Sequence, residues 1–156
     1  MRIKGKRIGA PKPRPCVIER DGEDFVFIVN AVLDYKEFEK LCPIPSPPKV
    51  MKPGGGVSED SNNPKYAEAL TKYGEKKTNW LMINAIKDTE GLEWEKVILD
   101  DPTTWEHFRE ELSEGGLTEG ELAFLINDVY LVNSLDESKM SEARERFMRS
   151  QEAVDK

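Results

Sequence analysis

Hydrophobic positions recur along the chain at two periods, and each period predicts a different element. Cys16-Val17-Ile18-Glu19-Arg20 and Phe25-Val26-Phe27-Ile28-Val29 are rich in strand formers. Between them lies Asp21-Gly22-Glu23-Asp24, whose Asp-Gly step suits a tight turn, so the stretch predicts a β-hairpin. In the second strand Phe25, Phe27 and Val29 fall on one face and Val26 and Ile28 on the other. Both faces are therefore apolar and each needs a cover, because a hairpin standing alone is marginal in water.

The helical period follows. Asp34 with Glu37 three residues on forms a capping-box pattern, and Tyr35, Phe38 and Leu41 share one stripe, which predicts a short helix over about 35–41. Pro43, Pro45, Pro47 and Pro48 then forbid a regular helix, and Gly54-Gly55-Gly56 leads into a polar run without apolar pattern, so 43–63 reads as a linker. Asn63-Pro64 pairs a cap with the residue best suited to the first helical turn. The stripe through Tyr66, Leu70, Tyr73, Trp80, Leu81, Ile83 and Ile86 predicts a long helix over about 64–87, with Gly74 its weak point. Residues 92–99 obey neither period and read as an extended, packed connection. Trp105, Phe108 and Leu112 define the next helix, which Gly115-Gly116 ends. Thr118 and Glu121 form a capping box for a helix over about 119–133 that buries Leu122, Leu125, Ile126 and Val129. Asp136 caps a last helix bearing Met140, Ala143 and Phe147.

The fold class expected is α+β: an arm over 1–15, a β-hairpin and short helix over 16–42, a Pro/Gly linker over 43–63, and a helical bundle over 64–152.

Charge adds an asymmetry that the net value of −7 hides. Arg2, Lys4, Lys6, Arg7, Lys12 and Arg14 place six bases and no acid in the first 15 residues, leaving 17 bases against 30 acids in the rest. An acidic body argues against general nucleic-acid coating, and the arm lacks aromatic residues to stack on bases. A solvated tail is the plain reading of the arm, and a protein surface, including another copy of this chain, suits it better than nucleic acid does. No apolar run approaches the length of a membrane span, and the basic N-terminus lacks the apolar core of a signal peptide. Cys16 and Cys42 belong to no C-x-x-C pair and are expected to be reduced thiols.

No catalytic constellation emerges. The Gly54-Gly55-Gly56 run is followed by Val57-Ser58-Glu59-Asp60, whose acids would repel phosphate, where a phosphate loop needs Lys and Ser or Thr. His107 is the sole histidine, which excludes a multi-histidine metal site. Asp88, Glu90, Glu93, Glu95, Asp100 and Asp101 lack the alternating order of a calcium loop and read as a solvated acidic face. The chain is expected to be non-enzymatic and to need no cofactor or metal. Partner binding would fall to the arm, Arg2, Lys4, Lys6, Arg7, Lys12 and Arg14, and to partly exposed apolar residues among Tyr66, Tyr73, Trp80, Trp105, Phe108 and Tyr130, which core packing would equally explain.

Four passages carry a family resemblance: Phe38-Glu39-Lys40-Leu41-Cys42-Pro43-Ile44-Pro45; Asp100-Asp101-Pro102-Thr103-Thr104-Trp105; Glu110 to Glu121 through Gly115-Gly116; and Asn133-Ser134-Leu135-Asp136. Over about 25–150 the chain resembles small tailed-phage proteins known as tail assembly chaperones. The resemblance implies a non-enzymatic protein, made in the cytoplasm of the infected bacterium, that holds the tape-measure protein soluble and recruits tail-tube subunits. The basic arm departs from a minimal helical chaperone and would suit a minor structural protein of head, connector or tail. A third reading is a phage-encoded protein that engages a host defence complex, since acidic chains of this size can occupy basic channels.

Overall fold

The computed structural model describes residues 1–135 and 137–154. Two strands, β1 (Arg14–Arg20) and β2 (Glu23–Val29), form an antiparallel hairpin and are followed by α1 (Lys36–Leu41). A second pair, β3 (Lys49–Met51) and β4 (Val57–Glu59), precedes the long α2 (Pro64–Ile86). A turn of 3-10 helix at Trp105–His107 runs directly into α3 (Phe108–Glu114), and α4 (Glu119–Val132) and α5 (Glu137–Val154) complete the chain. The α+β class expected from the pattern is the class observed.

The first hairpin turns on two residues, Asp21 and Gly22, both with positive φ (52° and 83°), the backbone a two-residue β-turn requires. Its register pairs Cys16 with Phe27 and Ile18 with Phe25, so the inward face carries Cys16, Ile18, Phe27 and Val29. This face packs on α2 and α4. The Ile28 amide donates to Thr89 Oγ1 (2.9 Å) and the Asn30 amide to the Ala85 carbonyl (2.7 Å), so the outer edge of β2 is closed by the end of α2. Pro15 sits opposite Ile28, whose amide turns away from β1. By strand alternation Pro15 then faces no ladder partner, and its missing N–H costs no hydrogen bond there.

At the centre of the core is Phe38, fully buried and ringed by Tyr73 (5.3 Å between ring centroids), Trp80 (5.7 Å) and Trp105 (6.1 Å). Seven consecutive residues of α2, Trp80 to Ile86, are buried. A single stripe on this helix was expected, but the hairpin, α1, the 3-10 turn and α4 enclose its last two turns from all sides. The Trp105 indole donates to the Ile98 and Leu99 carbonyls (3.1 Å each), which ties the irregular 92–99 segment to the core. One contiguous apolar cluster thus runs from Cys16 to Val132, joining the 16–42 segment to the helices.

Four expectations need correction. The segment 43–63 holds the β3–β4 hairpin, closed by Lys52 N–H to the Gly56 carbonyl (2.9 Å), because Gly54, Gly55 and Gly56 all adopt the positive φ that the reversal needs. The arm contains a small reversal of its own, with Ile3 and Lys6 bridged around Lys4 and Gly5, and its last two residues already belong to β1. The helix at 36–41 has Tyr35 at its cap with no side-chain bond, while the Asp34 carboxylate accepts from the Lys36 amide (3.2 Å). Finally, α5 does not join a bundle: its side chains from Glu137 to Gln151 are all exposed. Asp136, the expected cap of that helix, lies outside the described residues.

Candidate protein-binding surface

The local chemistry of β1 and the start of α4 frames a recess between the first hairpin and the α3–α4 turn. Arg20 ends β1, and its guanidinium grips Glu121 through both carboxylate oxygens, with Nη1 at 2.6 Å from Oε1. The same guanidinium donates to the Gly116 carbonyl (3.0 Å). Glu121 meanwhile completes the capping box of α4: its carboxylate accepts from the Thr118 amide (2.9 Å), and Thr118 Oγ1 accepts from the Glu121 amide (3.3 Å). The hairpin end, the α3–α4 turn and the start of α4 are therefore locked together. Arg20 first, and then the Thr118 amide, hold the Glu121 carboxyl far below its ordinary 4.5, at about 2.

Between these elements lies an open groove of about 370 Å³. Ile18, Phe25 and Phe27 from the hairpin form one wall, Leu92 and Trp94 from the irregular segment another, and Leu112 and Leu117 the floor toward α3. Phe25 is half exposed (50%) although it belongs to the inward face of its strand. Glu93 and Glu111 stand on the wall. Glu111 accepts from the Glu95 amide (2.5 Å) and the Val97 amide (2.8 Å), which fixes the irregular segment in place. Glu93 is exposed and makes no ion pair among the described residues. An apolar floor with acidic flanks suits an apolar, basic-flanked protein segment.

The partner-binding candidates named from the pattern do not converge on one face. Trp80, Trp105 and Phe108 are core residues, 4%, 1% and 2% exposed, and a partner does not reach them in this conformation. Tyr66, Tyr73 and Tyr130 are half-buried. Tyr73 lines a groove with Leu41, Pro43 and Lys76, whereas Tyr130 lines a shallow depression with Arg109 and Ile126. In the arm, Arg14 is consumed by the fold: its Nε lies 2.6 Å from Asp128 Oδ1, and Asp128 is nearly buried on α4. Arg2, Lys4, Lys6, Arg7 and Lys12 are exposed and form no salt bridge among the described residues. The groove residues Phe25, Trp94 and Leu117 were not among the sequence candidates; the available signal was that Phe25 shares the apolar face of Phe27 and Val29, whereas the outer face, also expected to need a cover, leaves Val17 and Val26 52% and 40% exposed.

No group of three His, Cys, Asp or Glu side chains among the described residues could hold a metal ion. His107 pairs with Glu110 (3.3 Å) on the surface of the 3-10 turn. Cys16 and Cys42 are buried and unbridged. Burial first, then the charge of neighbouring Asp128, pushes the Cys16 thiol up to about 11, which leaves it protonated and a poor nucleophile at neutral pH. No described helix is long and apolar enough to cross a membrane. Comparison with protein-family models, curated proteins and solved structures finds no match.

Proposed function

We propose that this chain is a non-enzymatic binding protein, a bacteriophage tail assembly chaperone or closely related assembly factor that engages tape-measure and tail-tube proteins in the cytoplasm of the infected host. The observation that carries the binding reading is the groove between β1–β2 and the α3–α4 turn, an apolar recess with Phe25 and Trp94 in reach of solvent and acids at its edge. A chaperone of helical clients needs such a recess together with charge that keeps the complex soluble, and the acidic body supplies that charge. The choice of clients rests on the family resemblance of the passages at 38–45, 100–105, 110–121 and 133–136. Co-expression with a tape-measure protein tests the reading. A soluble complex that Phe25→Glu disrupts is the expected result, and neither binding nor gain in solubility overturns it.

A second reading has its own observation. The five exposed arm cations, which form no ion pair among the described residues, suit a minor structural protein of the virion that reaches into a neighbouring subunit. Mass spectrometry of purified particles separates the two, since stoichiometric incorporation favours the structural role and trace amounts favour the chaperone.

A further inference from the structure

Two of the exposed apolar features among the described residues carry flanking charges that complement each other. One is the groove just described, with Glu93 and Glu111 on its wall and Arg20, whose charge is already met by Glu121, beside them. The other is α5. Met140, Ala143 and Phe147 recur at i, i+3 and i+7 along one side of this helix, with Ser150 next in the series. Met140 and Phe147 are 63% and 60% exposed. A helix of 18 residues with every described side chain in solvent gains nothing from packing, the source of most helical stability in proteins. Its stability calls for a surface to cover the stripe.

Charge decides which surface. In a heptad frame with Met140 and Phe147 at one seam position and Ala143 and Ser150 at the other, the flanking positions are held by Glu137, Lys139, Arg144, Arg146 and Gln151, three bases against one acid. Pairing α5 with another α5 would bring these basic flanks together, which opposes association. The groove offers the reverse, apolar walls with the exposed carboxylate of Glu93, which makes no ion pair among the described residues. A same-chain contact would need α5, about 27 Å long, to fold back along α4, whereas in this structure its described side chains from Glu137 to Gln151 are all exposed.

We propose that the groove of one molecule receives the Met140–Phe147 stripe of α5 from a second copy of this chain, with Phe147 beside Phe25 and Trp94 and the Arg144 and Arg146 side chains toward Glu93. Reciprocal exchange closes a two-fold dimer with two such contacts. The inference uses the groove of the proposed function but holds whatever client the protein serves. In a chaperone it makes the dimer a resting form whose α5 occupies the client's seat.

Sedimentation velocity of the full chain over a wide concentration range tests it. The wild type is expected to dimerise, and Phe147→Asp and Phe25→Glu each to weaken self-association by about tenfold or more. Mixing those two variants restores a dimer through the one intact contact, because Phe147→Asp keeps its groove and Phe25→Glu keeps its α5. The exposed pair guards against misfolding: Glu93→Lys weakens the dimer several-fold, and adding Arg144→Glu with Arg146→Glu recovers part of the loss. A wild type that stays monomeric at every concentration overturns the proposal, as does a Phe25→Glu variant that dimerises undiminished, which is the signature of α5 pairing with α5. A monomer that still solubilises a tape-measure protein would overturn this dimer and leave the chaperone reading standing.

Discussion

The two hairpins of this protein have the same topology and very different fates. β1–β2 has seven-residue strands, and alternate residues Cys16, Ile18, Phe27 and Val29 enter the core. β3–β4 has three-residue strands that are exposed except at half-buried Ser58; Met51 is 80% exposed and Val57 59%. Positive-φ residues reverse both, Asp21-Gly22 in the first and Gly54-Gly55-Gly56 within the 52–56 loop of the second, so the ability to turn does not explain the difference. What separates them is the alternating apolar series long enough to span a helix surface, reinforced by Arg14–Asp128 and Arg20–Glu121 at its two ends. The final helices repeat the contrast. α4 buries Leu122, Leu125, Val129 and Val132, while α5 exposes Met140, Phe147 and Met148.

Substitutions sharpen this division between a packed body and exposed appendages. Phe38→Ala should have the largest effect, about 3–5 kcal/mol by urea unfolding, because it empties the centre of the aromatic cluster. Val29→Ala, on the fully buried end of β2, should cost about 2 kcal/mol through the lost methyl groups. Thr118→Ala removes the cap that starts α4 and should cost about 1 kcal/mol in the same assay.

A smaller, solvent-screened contribution comes from Glu121. Its folded-state value of about 2 lies below the ordinary 4.5, so below 4.5 the unfolded chain takes up a proton that the native carboxylate refuses. Stability from this group is fully present above that value and is lost as pH falls toward 2. Arg20→Met should flatten the fall in stability across this window relative to the wild type, as read by thermal melts at successive pH values. The smallest effect belongs to the second hairpin: Val57→Asp should change stability by less than about 0.5 kcal/mol. A loss comparable with Val29→Ala would erase the contrast between the two hairpins.

Much of the element order was legible. The Asp21-Gly22 turn, the Asn63-Pro64 start and the Thr118 and Glu121 box are local devices, and each appears where its residues place it. The candidate surface was far less legible. Trp80 and Phe108 looked like residues that a partner might reach, since a helical stripe reads the same whether it faces a core or a client. Trp94 lay in a stretch with no period at all, and its place in the groove depends on Glu111 holding the amides of Glu95 and Val97 from another element. The linker was misread because Gly54-Gly55-Gly56 signals flexibility and reversal equally.

Sequence alone determined the α+β class, the first hairpin, the long helix and the separation of a basic arm from an acidic body, because caps, turns and periodicity act within a few residues. Only the tertiary structure decided which apolar faces are covered. It withdrew Arg14 from the arm to Asp128, enclosed the end of α2 on all sides, and left a groove beside Phe25 and a bare stripe on α5. Burial is a property of what packs opposite a residue, and that opposite partner is fixed by elements distant in the chain.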